Sequence, residues 1–242
     1  MGRSSASGLK FGTVSRGGFR NFKVKNIKIY DTYRSAITFA AVDGALIENI
    51  EVDGVRSIHT GNVIYLRIGD RWSAGKKPIM KNITIKNVYA EIPMDKPDAG
   101  YNYEGPIEDL PRNISPASIV GLPEYKIQNV TLQNIEIVSP GGGNPYYAYR
   151  GLAPAELDSI PEMATSYPEF SQFKELPAWG FYIRHAEGIT FDNVTFKALK
   201  KDYRPAIVMD DAGEVTFKDV RFIEPEGEGK KQIFPYKSKV IK

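Results

Sequence analysis

Cysteine is absent from the 242 residues, and histidine occurs only as His59 and His185. Disulfides and thiolate chemistry are therefore excluded, and the redox compartment is left open. Two histidines are too few for a histidine-rich metal site, so no metal is expected. No apolar run is long enough to cross a bilayer, and no membrane partner is expected. The net charge of +3 is too small to argue for nucleic acid. The opening MGRSSASGLKFG has no apolar signal-peptide core. Its Met1-Gly2 start carries Ala6 where a myristoylation signal wants Ser or Thr. VSPGGGNP lacks the Lys-Ser/Thr ending and following helix of a phosphate loop.

What is present is ordinary in amount but repetitive in order. KNITIKNVYAEI at 81–92 has relatives at 20–31, 48–58, 128–138, 188–199 and 214–224. Each reads apolar–x–apolar–x–break–apolar–x–apolar. The first apolar positions are Phe22, Ile50, Ile83, Val130, Ile189 and Val215, and the breaks are Asn26, Gly54, Asn87, Asn134, Asn193 and Asp219. Period-two alternation predicts strands with one buried face. The break predicts a bend, because Asn tolerates left-handed backbone and bonds nearby groups through its amide. Stacked bends would let each amide bond the next.

A second strand follows each repeat: SAITFAAV (35–42), NVIYLRIG (62–69), PASIVG (116–121), WGFYIRHA (179–186) and PAIVMDD (205–211). A repeated strand set at irregular intervals predicts one all-β domain over 1–242, a parallel β-helix solenoid with its extra residues in loops. Hairpin turns between alternating strands, expected of a sandwich or propeller, are weak. Two loop insertions, about 93–113 and 139–179, are long enough to be functional. The second holds clustered aromatics and, in APAELDSIPEMATSY, a candidate short helix. The tail at about 225–242 reads as a last partial rung and a charged end. A chain that starts within a solenoid exposes apolar side chains and open backbone edges, which predicts self-association through the N-terminal rung.

The stretch GLKFGTVSRGGFRNFKVKNIKIYDTYRSAITFAAVDGALIENI resembles glycoside hydrolase family 28, the polygalacturonase-like enzymes of the pectin lyase-like fold. The likeness runs through 8–223 and includes LPAWGFYIRHAEGITF and DYRPAIVMDD. It implies a single-stranded, right-handed parallel β-helix and a parent that hydrolyses uronate-containing polysaccharide with two carboxylates and no cofactor. Family members are usually secreted or periplasmic. Their motifs run Asn-Thr-Asp, Asp-Asp, Gly-His-Gly, Arg-Ile-Lys. Alignment puts Ser7 at the histidine position and Thr38, Phe39 and Ala40 at the Arg-Ile-Lys positions, while the aspartate motifs fall before residue 1. The expectation is the C-terminal part of such an enzyme, lacking those upstream aspartates.

Glycoside inversion needs carboxyl groups roughly 6.5–9.5 Å apart. The catalytic candidates are Asp210 and Asp211, the only Asp-Asp pair in the chain. The alternative for them is a charged strand end before the Gly213 turn. If Ile64, Leu66, Ile68, Phe181 and Ile183 point inward, then Tyr65, Arg67, Tyr182 and Arg184 point outward, in one column with Lys10. Arg34 and Arg71 sit at its rim, beside Asp70. Arginine bonds carboxylates bidentately and aromatic faces stack on sugars, so these seven residues are candidate ligands for acidic polysaccharide or oligosaccharide. A solvated face with routine ion pairs is the alternative. Trp179, Tyr146, Tyr147 and Tyr149 form either a sugar platform or a loop anchor. His59 and His185 read as structural residues at turns. Asn82, Asn113, Asn129 and Asn193 match glycosylation sequons, three of them inside the repeat. Three functions compete: a family 28-like hydrolase fragment or relative, a non-catalytic carbohydrate-binding or structural β-helix, and a polysaccharide lyase with Arg67 or Arg184 as base.

Overall fold

A computed structural model describes residues 2–4, 6–94, 116–143, 151–173, 175–225 and 231–241. The first predicted loop, the sequon at Asn113, and Tyr146, Tyr147 and Tyr149 lie wholly or mostly outside these residues. Twelve strands make one sheet: β1 (Gly2–Ser4), β2 (Leu9–Phe11), β3 (Phe19–Arg20), β4 (Lys23–Ala41), β5 (Leu46–Ile68), β6 (Ile79–Glu91), β7 (Ala117–Val120), β8 (Ile127–Gly141), β9 (Phe181–Lys200), β10 (Ile207–Ile223), β11 (Ile233–Tyr236) and β12 (Val240–Ile241). The chain is all-β, and every pairing between these strands is parallel.

The register follows the repeat. Ile50, Ile83, Val130, Ile189 and Val215 stand side by side on successive strands, and all five are at most 1% exposed. Alternation inside each repeat sends these residues to a common core. Phenylalanines stack within it, Phe191 on Phe217 at 5.2 Å and Phe196 on Phe222 at 5.8 Å between ring centroids. Each such pair contributes about 0.5–1.5 kcal/mol beyond its burial. At the N-terminal end Phe11 stacks between Phe19 and Phe39, while Phe22 and Val14 are exposed.

The bends are asparagine ladders, two where the sequence predicts one. Asn26, Asn87, Asn134, Asn193 and Asp219 all have φ between 51° and 56°. Asn87 donates to Asp53 Oδ1 at 2.7 Å, Asn134 to Asn87 at 3.1 Å, and Asn193 to Asn134 at 2.9 Å. Gly54 occupies the same bend at φ 80°. There, a Cβ would lie 2.9 Å from Asn26 Oδ1. The second ladder lies five residues earlier in the repeat. Asn49 donates to Asn21 at 3.0 Å, Asn82 to Asn49 at 3.0 Å and Asn129 to Asn82 at 3.2 Å, across 28, 33 and 47 residues. The sequon residues Asn82, Asn129 and Asn193 are thus ladder members. Asn134→Ala should cost about 2–4 kcal/mol, from left-handed backbone without Gly or Asn and two lost amide bonds. Denaturant unfolding would measure it, with Asn134→Gly recovering the backbone part.

Residues 151–178 fold back over the outward face of the sheet. They carry a short helix α1 (Pro154–Asp158), within the predicted helical stretch, and a 3-10 turn at Phe170–Phe173. Pro154 opens α1, and the Glu156 carboxylate accepts the Ala153 N–H at 3.0 Å. Leu157, Ile160, Phe170, Phe173, Leu176 and Ala178 pack on Tyr65, Val120, Tyr182 and Val208, making a second, smaller core.

Candidate functional site

The predicted phase of the outward strands holds. Ile64, Leu66, Ile68, Phe181 and Ile183 lie in the main core. Tyr65 and Tyr182 lie in the second core. Their expected openness to a ligand does not hold. Tyr65, Arg67 and Tyr182 are at most 1% exposed, and Arg184 is 7% exposed, because residues 151–178 cover them. Burial pushes both phenols well above the ordinary tyrosine range. Arg67 donates to the carbonyls of Gly121 at 3.1 Å and Glu162 at 2.5 Å. These four residues hold the covering segment and do not line an open groove. For the same reason neither Arg67 nor Arg184 is placed to take a proton from a polysaccharide. Trp179 is 4% exposed and packs edge-on against Phe196 in the core, so it anchors the chain and offers no sugar platform.

Asp210 and Asp211 occupy adjacent positions with different surroundings. Asp210 is 3% exposed and pairs with Arg184 Nε at 3.2 Å. Burial pushes its carboxyl above the usual range, against the pull of Arg184. Asp211 sits at a bend with φ 50° and accepts from Lys126 at 2.9 Å. His185 occupies the neighbouring bend, with Nδ1 2.7 Å from Asp211 and Nε2 3.0 Å from Glu162. Glu162 also meets Arg184 at 2.7 Å. Burial works to raise the Glu162 and Asp211 carboxyls, but their bonds to His185, joined by Arg184 or Lys126, leave both below the ordinary range. An imidazole fills the space between Glu162 and Asp211, where an inverting pair needs water and substrate. This cluster latches the covering segment to the sheet. His59 makes a similar contact at its bend, 2.8 Å from Asp31.

The remaining candidates converge at the exposed edge of the covering segment, on a residue the sequence did not mark. Tyr167, 45% exposed, receives a hydrogen bond from Lys10 Nζ at 3.0 Å and lies 3.4 Å from Arg34 NH1. Lys10, Arg34 and Arg71 lie over its ring at 4.8, 5.3 and 5.5 Å. Arg71 also lies 3.8 Å over Trp72, itself 55% exposed. Arg16 donates to the Trp72 carbonyl at 3.2 Å, and Lys76 to the Arg16 carbonyl at 3.4 Å. Arg71 grips the buried Asp43 bidentately at 3.1 and 2.8 Å, and Arg34 pairs with Glu169. Among the described residues no carboxylate pairs with Lys10, Arg16 or Lys76. Burial works to raise the Tyr167 phenol; bonds to Lys10 and Thr13, the Lys10 charge and the Arg34 contact bring it down to about 8.

Ser7 and Thr38, expected from the resemblance to stand at histidine and arginine positions, carry hydroxyls, with Ser7 Oγ 2.9 Å from Thr38 Oγ1. A shallow groove of about 490 Å³ lies elsewhere, along Asn87, Asn134 and Asn193 with Tyr89, Glu136 and Arg221, and contains none of these candidates. Among the described residues no group of three or more His, Cys, Asp or Glu is arranged to hold a metal, and no helix is long and apolar enough to cross a membrane. No family model matches the chain, and neither a curated protein nor a solved structure does.

Trp72 had a visible signal, since it adjoins Arg71 in GDRWSAG. Tyr167 and Glu162 lie in the second insertion, which its length and aromatics mark as a candidate functional loop, but nothing singles out either residue, because only tertiary folding brings this segment onto the sheet.

Proposed function

We propose that the chain winds as a single-stranded, right-handed parallel β-helix of the pectin lyase-like kind and binds uronate-containing polysaccharide at the cluster around Tyr167. Parallel strands in repeat register and two amide ladders support the winding. The resemblance to glycoside hydrolase family 28 supplies the substrate class. The observation that carries the binding reading is three cations, Lys10, Arg16 and Lys76, that pair with no carboxylate among the described residues, beside two exposed aromatic rings. Guanidinium and ammonium groups meet a uronate carboxylate, and an indole or phenol face meets the apolar face of a pyranose. Hydrolysis by Asp210 and Asp211 has less support, since both are tied into ion pairs. The reading is therefore of a binding β-helix related to the hydrolases.

Isothermal titration with oligogalacturonates tests it. Binding should weaken as salt rises, because exposed charges are screened. Replacing Lys10, Arg16 and Lys76 together by Ala should weaken it at least about tenfold, equivalent to about 1.4 kcal/mol. Affinity for oligogalacturonate no greater than for a neutral glucan of equal length sinks the reading.

A further inference from the structure

A binding site needs no tyrosine hydroxyl inside its cation cluster, since a phenol adds little to the recognition of a carboxylate. The Tyr167 oxygen nevertheless sits 3.0 Å from an ammonium and 3.4 Å from a guanidinium nitrogen, on an exposed side chain. Both cations stabilise a negative charge on that oxygen. The same neighbourhood offers cations to a substrate carboxylate. Neutralising a uronate carboxylate acidifies the C–H bond next to it, at C5, so one group of residues supplies both halves of a proton-abstraction site: a stabilised oxyanion base and an electrostatic sink.

We propose, on the basis of the uronate-binding reading, that Tyr167 is the catalytic base of a β-elimination on polysaccharide whose uronates are linked through their C4 oxygen, with Lys10 and Arg34 holding the phenolate. The Tyr167 phenolate takes the C5 proton. The C5–H electron pair becomes the C4=C5 double bond, and the C4–O bond breaks. The departing oxygen recovers the proton from the newly formed phenol, which returns the enzyme to its starting charge. Atoms and charge balance with no oxidant, metal or second reactant. One fragment ends in an unsaturated uronate and the other in a hemiacetal hydroxyl, a new reducing end.

The geometry also accounts for which arginines cannot serve. Arg67 and Arg184 lie under residues 151–178 and donate to protein carbonyls and carboxylates. Tyr167 belongs to that covering segment and stands at its rim. Its phenol titrates near 8, so the reactive form is abundant in mildly alkaline solution.

The experiment incubates the full chain with polygalacturonate across neutral to alkaline pH and follows the ultraviolet absorbance of the unsaturated uronate, with oligogalacturonate affinity measured alongside. Wild-type protein should release unsaturated product at a rate that rises through about pH 8. Tyr167→Phe keeps the ring and should bind within a few-fold of wild type yet lose about 10²-fold or more of the rate. Bound substrate with no unsaturated product overturns the inference and leaves the binding reading standing. A Tyr167→Phe variant as fast as wild type, or new reducing ends without unsaturation, also overturns it. Failure of wild type to bind removes both proposals together.

Discussion

Replacing Arg184 by Met is expected to destabilise the protein by roughly 3–5 kcal/mol, the range for removing one partner of a buried ion pair. Its guanidinium meets Glu162 at 2.7 Å, Asp210 at 3.2 Å and the Ile160 carbonyl at 2.6 Å. Met fills much of the volume but leaves Asp210 buried without its cation. The pH dependence has a definite sign. Glu162 and Asp211 have lowered folded values, so their contribution is present above the unfolded carboxylate range and is lost as pH falls through their folded values. Asp210 is already raised and should rise further in the variant, so acid relieves its burial. The Asp210 trend and the part of the Glu162 contribution that Arg184 supplies narrow the difference between wild type and variant as pH drops, while Asp211, held by His185 and Lys126, responds alike in both. Urea midpoints at neutral and acidic pH would show this, and a constant difference would contradict the role given to Asp210. Adding Asp210→Leu should return part of the loss, since the uncompensated group is then gone.

Arg204→Met is expected to cost a similar amount, roughly 3–5 kcal/mol. Arg204 binds Asp202 bidentately at 2.9 and 2.8 Å, Glu175 at 3.1 Å and the Leu176 carbonyl at 3.2 Å. Asp202 and Glu175 are each 1% exposed. Burial raises the Glu175 carboxyl despite Arg204. For Asp202 burial also works upward, but the Arg204 bonds and charge hold it below the usual range. This cluster fastens the end of the covering segment to the chain that follows β9. Loss of the arginine should therefore loosen residues 175–178 before the sheet itself, and hydrogen exchange would report that order. Uniform loss of protection across the sheet would contradict a local clamp.

The strand face and the site differed in how far they could be read. Alternation identified the inward and outward sides at Tyr65 and Tyr182, because side-chain direction in a strand depends only on neighbours in sequence. Exposure of those residues depends on chain that arrives from far away. Arg67 meets Glu162 across 95 residues and Lys10 meets Tyr167 across 157. Nothing local at Arg67 announces a cover, so an outward arginine read as an open one. The ladder at Asn26, Asn87 and Asn134 was legible because it interrupts an alternation. Its companion at Asn21, Asn49, Asn82 and Asn129 opens the alternation, where an asparagine resembles any strand-leading residue. Lys10 was read in the outward column and Arg34 and Arg71 at its rim, whereas the phenol and indole beside them came from outside the pattern.

The ladders also bear on chemical ageing. Asparagine deamidates when the nitrogen of the following residue attacks the side-chain amide, and a bulky following residue hinders that attack. Asn26, Asn49, Asn82 and Asn134 each precede Ile, Asn87, Asn129 and Asn193 each precede Val, and Asn21 precedes Phe. Conversion of Asn49, Asn82, Asn87, Asn129, Asn134 or Asn193 to a carboxylate would remove a donor and set two acceptors against each other. The inward residues that fill the core thus also slow the loss of the amides beside them, and long incubation in warm, alkaline buffer should leave the ladder asparagines intact.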